Sequence, residues 1–91
     1  MLLPTRGCDD MPVVFNQEGF RFFFFSNEGD PREPVHIHVR KDAKLAKFWL
    51  QPSVRLDDSY RFSARELTKI AKIIDNRKTE IEEAWNDHFE S

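Results

Sequence analysis

Cysteine is nearly absent from this chain: Cys8 is the only one among 91 residues. An intrachain disulfide is thereby excluded, and so is a metal cage built on several thiolates. Cys8 also falls in the stretch with the least local pattern, which argues against a thiol nucleophile. Glycine is scarce, with three in all, and none is arranged as a phosphate-cradling loop. A Walker-type lysine motif and a Gly-x-Ser-x-Gly elbow are missing as well. No run of apolar residues reaches membrane-spanning length, and residues 1 to 7 lack the apolar core of a secretory leader, so the expected location is cytoplasmic. A strong net charge is lacking too, at −2, so nothing draws the whole molecule toward nucleic acid or a membrane surface.

The charge that is present is unevenly placed. Residues 35 to 47 hold Arg40, Lys41, Lys44 and Lys47 against Asp42 alone, whereas residues 79 to 91 hold five acids and no Lys or Arg. A basic segment and an acidic tail make a polarised molecule. The length suits one small domain, expected over residues 11 to 91, and a chain this short buries only about 60 to 65% of its unfolded surface, so partner dependence is a reasonable expectation.

The best-patterned stretch is residues 35 to 40 followed by residues 44 to 50. Val35, Ile37 and Val39 alternate with His36, His38 and Arg40, the period of a half-buried strand. Ala46, Phe48 and Leu50 alternate in the same way with Lys47 and Trp49. Paired across Lys41, Asp42 and Ala43, the two strands place imidazoles, cations and an indole on one surface.

Residues 1 to 10 have no period and read as a loose, disordered tail. A short strand is expected over residues 13 to 16, with a turn at Glu18 and Gly19. Residues 20 to 26 form an aromatic strand in which Phe20, Phe22 and Phe24 point one way and Arg21, Phe23 and Phe25 the other. Residues 27 to 34 carry two prolines and a glycine and read as a loop. Residues 53 to 56 suggest a further short strand before a turn at Asp57, Asp58 and Ser59.

Ser63 with Glu66 three residues on is a capping box that starts a helix. Leu67, Ile70, Ile74, Ile81, Trp85 and Phe89 then recur at helical spacing, interrupted near Arg77 or Lys78. Thr79 with Glu82 offers a second cap, so one long helix and two helices joined near Asn76 both fit. The expected fold is α+β, a small antiparallel sheet of about four strands covered on one face by one or two C-terminal helices.

Several segments together resemble one bacterial family. They are Met11 to Phe15, Gly19 to Glu28, Glu33 to Val39, the run Ala46-Lys47-Phe48-Trp49-Leu50, and Phe62 to Leu67. The family is domain of unknown function 4160, and the resemblance covers residues 11 to about 89. It implies that Met11 is the natural start, since members tend to begin with that Met-Pro. It also implies a neighbouring gene of a second small family, domain of unknown function 2442, in an arrangement similar to toxin–antitoxin pairs. Many members carry an acid just before the Ala-Lys-Phe-Trp run, where this chain has Leu45.

Three readings of the patterned surface follow. In the first it is a contact face for a protein partner, either a neighbouring gene product or a second copy in a homodimer, and the histidines are simply polar surface residues. In the second it contacts RNA: Arg21, Arg40 and Lys47 hold phosphate and Phe23, Phe25 and Trp49 stack bases. His36 or His38 then acts as the acid or base of a metal-independent ribonuclease. In the third the His36 and His38 pair holds a metal ion, for which His88 or a tail carboxylate must supply a further ligand. No cofactor is implied, and Trp85 is expected to pack rather than to recognise a ligand.

Overall fold

A computed structural model describes residues 13–25 and 34–89. The expected tail at residues 1 to 10 and most of the expected loop at residues 27 to 34 lie outside the described residues. Five strands form one antiparallel sheet in simple sequence order: β1 (Val13–Gln17), β2 (Phe20–Phe23), β3 (His36–Lys41), β4 (Lys44–Trp49) and β5 (Arg55–Tyr60). Two helices follow, α1 (Ala64–Asn76) and α2 (Lys78–Phe89). None of the described helices is long and apolar enough to cross a membrane.

Local chemistry explains the tight connections. Glu18 and Gly19 both take positive φ, 54° and 85°, as the two central residues of a hairpin turn that matches strand twist must do. Asp42 takes φ 54° at the turn between β3 and β4, a conformation its short polar side chain tolerates. The register follows the alternation, with His36 opposite Trp49, Ile37 opposite Phe48, His38 opposite Lys47 and Val39 opposite Ala46.

The fold has one strand more than the sequence suggested. The segment expected to turn at Asp57, Asp58 and Ser59 is instead the middle of β5, which pairs with β4 along its length. The ladder skips one residue between Lys47 opposite Asp58 and Phe48 opposite Leu56, so Asp57 is the extra residue of a bulge. Pairing with a well-formed β4 has overridden a local preference for turns.

The helices also resolve into two. The Ser63 and Glu66 box forms as expected, with Glu66 N–H donating to Ser63 Oγ at 3.1 Å and Ser63 N–H donating to Glu66 Oε1 at 2.9 Å. Helix α1 stops at Arg77, which leaves helical geometry at φ −115° and ψ 23° while its N–H still bonds the carbonyls of Ile73 and Ile74. Helix α2 restarts at Lys78, so Thr79 lies inside it and does not cap it.

The core lies between sheet and helices. Phe15, Phe22, Ile37, Val39, Phe48 and Leu50 meet Ile70, Ile74, Ile81 and Trp85, all buried. Phe20, Phe22 and Phe24 join this core, while the buried ring of Phe23 lies outside it. The expected division of the aromatic strand between two faces therefore holds.

Candidate functional site

The register of all four strand pairs places the polar face in rows that run across the sheet. The first row is Asn16, Arg21, Arg40, Leu45 and Tyr60, one residue from each strand. All five are exposed. The second row is Phe23, His38, Lys47 and Asp58, and the third holds His36, Trp49 and Arg55. Rows lie two residues apart along each strand, about 7 Å.

Along β3 burial deepens from Arg40 through His38 to His36. His36 is fully enclosed, with a ring 5.3 Å from Trp49, 5.4 Å from His38 and 4.8 Å from Trp85, all edge to face. Its Nδ1 lies 3.0 Å from the carbonyl of Pro34. A carbonyl can only accept, so Nδ1 carries the proton in this contact. The sequence reading had the whole polar set pointing away from the helices. That is corrected for His36, because Trp85 of α2 closes the end of the sheet at Phe24 and His36 alike.

His38 is 7% exposed and is held by two phenylalanines, Phe23 stacked at 5.6 Å and Phe25 edge-on at 4.5 Å. It lines a cavity of about 220 Å³ with Phe25, Leu45, Lys47, Asp58 and Tyr60. His38 thus borders the cavity, whereas His36 is walled in by rings. Lys47 sits 4.4 Å from the Trp49 ring and 3.7 Å from Asp57 Oδ2, a carboxylate that the bulge brings within reach. Arg55 approaches the same indole at 5.8 Å.

Of the residues singled out from sequence, the structure thus gathers His36, His38, Phe23, Phe25, Lys47 and Trp49 into one aromatic and cationic cluster. Arg21 and Arg40 are side by side in the first row, facing solvent. His88 stacks 6.3 Å from Phe24. Among the described residues no group of three or more His, Cys, Asp or Glu is arranged to hold a metal ion.

Sequence reasoning missed Tyr60, Asp57 and Asp58 as face residues because it read their segment as a turn. The bulge could not be seen in the local pattern. Leu45 was noted only as the residue replacing an acid, yet it is a large apolar group on the exposed row, 37% accessible beside Tyr60 at 58%.

A family model described as Domain of unknown function (DUF4160) matches residues 19–86. No curated protein and no solved structure matches the chain.

Proposed function

The chain belongs to the DUF4160 family, and from its geometry we propose that it acts through a protein partner docked on the exposed row, as one component of a two-gene module similar to toxin–antitoxin pairs. The observation that carries this reading is the adjacent pair Leu45 and Tyr60. Two large apolar side chains lie side by side on the face opposite the main core. Tyrosine and arginine are the residue types that dominate binding hot spots, and Tyr60 shares its row with Arg21 and Arg40. Around the apolar pair the charge is mixed, Arg40 and Lys47 on one side and Asp57 and Asp58 on the other. Such a rim favours a partner with complementary charge of both signs.

Among the described residues β5 is an edge strand of the sheet, and this supports the same reading. Its exposed charges, Arg55, Asp57 and Asp58, discourage indiscriminate strand pairing. Contact then relies on side chains of the face rather than on a generic sheet extension. The two-gene part of the proposal rests on the gene arrangement typical of the family.

Co-expression with the product of the adjacent gene tests it. A complex that copurifies, and that Leu45→Asp with Tyr60→Ala abolishes while circular dichroism stays unchanged, is the expected result. A growth defect relieved by the neighbour would support the module. Absence of any complex, or a complex indifferent to both substitutions, would refute the docking proposal.

A further inference from the structure

The other end of the exposed row carries a feature that protein docking does not require. Arg21 and Arg40 are directly opposite each other on neighbouring antiparallel strands. Like charges in that position repel, and a sheet normally opposes a cation with an acid or a neutral residue. Neither arginine side chain forms an ion pair, a hydrogen bond or a ring contact with any described residue. By contrast Lys44, Lys47, Lys69 and Arg77 each reach a carboxylate.

The two arginines line a notch of about 210 Å³ together with Asn16, Gly19, Lys41 and Asp42. Lys41 stands with its Nζ 5.1 Å from the Phe20 ring, and a Cβ at Gly19 would lie in van der Waals contact with it at 3.4 Å. Three cations thus line one small concavity against a single acid, Asp42. Two guanidinium forks side by side offer parallel N–H donors that match the oxygens of a phosphate. Along the same row, about 10 Å from Arg40 by strand spacing, Tyr60 presents an exposed ring with the Arg61 guanidinium 5.1 Å from its centroid.

We propose that the Arg21, Arg40 and Lys41 notch is a phosphate subsite for single-stranded RNA, with Tyr60 on the same row as the platform for a base. Sheet modules that bind single strands combine these parts, cations that follow the backbone and an exposed aromatic that stacks without strong sequence preference. The proposal shares Tyr60 with the docking surface and departs from it in resting on the arginine notch and in naming a different class of ligand.

Fluorescence anisotropy of the full chain with a labelled octauridylate is the test. Three phosphate contacts give a log–log salt slope of about −2, so affinity falls about 20-fold from 50 to 200 mM salt. Arg21→Gln with Arg40→Gln weakens binding at least about 10-fold at low salt and leaves a salt effect of only about 3-fold. Arg65→Gln with Lys72→Gln, on the exposed surface of α1, leaves both unchanged. Tyr60→Ala costs about 5- to 150-fold in affinity with no change in slope. Should the double arginine variant lose its circular dichroism signature, Arg40→Gln alone reads the same effect as a slope smaller by about 0.7.

No binding of octauridylate, or binding that both arginine substitutions leave intact, overturns the assignment. So does hexaglutamate that binds as tightly as octauridylate and displaces it, because the notch is then a contact for carboxylates of a protein.

Discussion

Arg77 is one of the side chains that tie the helical layer to the sheet, and replacing it by alanine should lower the stability of the fold. Its guanidinium lies 3.5 Å from the centroid of Phe15 on β1, donates from Nη1 to Gln17 Oε1 at 2.9 Å, and grips both oxygens of Glu80 at 2.8 and 2.9 Å. A partly desolvated cation over a ring contributes about 1 kcal/mol. The hydrogen bond to Gln17 adds about 1 kcal/mol. The Glu80 pair is half in solvent, so its share is discounted to about 0.5 kcal/mol. Allowing for overlap among contacts of one side chain, Arg77→Ala should cost about 2 kcal/mol. For a domain of this size that lowers the melting temperature by roughly 8 to 16 °C. Urea unfolding followed by circular dichroism measures it, and Arg77→Lys, which keeps the charge and loses the fork, should lose about half as much. A loss under about 0.5 kcal/mol for the alanine variant would show that the guanidinium does not tie α1 and α2 to β1, and the additive reasoning would fail with it.

Two further outcomes test the start of α1. Ser63→Ala removes the acceptor for Glu66 N–H and should cost about 1 kcal/mol, measurable by the same unfolding curves; a neutral result would mean that the cap is dispensable. Glu66 is held by Lys44 Nζ at 2.8 Å and by the Ser63 amide, and these lower its carboxyl from 4.5 to about 2. A depressed carboxyl stabilises the fold above its unfolded value and loses that contribution as pH falls. The melting-temperature advantage of the natural chain over Glu66→Gln, which keeps the capping geometry, should therefore be full above about pH 4.5 and vanish as pH approaches about 2. A gap that persists unchanged at the acid end would contradict the assignment of the shift to the Lys44 pair.

Much of this architecture was legible because it is written in period. Val35 to Arg40 alternate without a fault and Ala46 to Leu50 follow the same period, so the face of these side chains could be read. Ser63 and Glu66 announced the helix start by their spacing alone. What escaped the reading depends on contacts distant in sequence. Asp57, Asp58 and Ser59 have the chemistry of a turn, and only a partner strand makes them β5. The choice between one long helix and two joined near Asn76 stayed open, because the end of α1 at Arg77 carries neither glycine nor proline; it coincides with contacts to Phe15 and Gln17, about sixty residues earlier in the chain. Trp85 was expected to pack, but its packing on His36 could not be read from either segment.

That contact changes what alternation means for the site. His36, His38 and Arg40 stand on one strand and one face, so period alone makes them equivalent. In the fold they differ in kind: His36 is sealed in an aromatic box, His38 lines a cavity, and Arg40 faces solvent. The first is fixed in place by rings on three sides, and the last is free to meet a ligand without rearrangement of the core. His38 lies between them, and the cavity it lines is bordered by Leu45 and Tyr60, the same pair proposed to carry a protein partner. A protein seated on Leu45 and Tyr60 would therefore cover the cavity through which His38 is reached, and an RNA strand stacked on Tyr60 would compete for the same ring. Under the two proposals taken together, occupation of the row by the partner excludes RNA from it, which is the relation expected of a protein held in check by its neighbour.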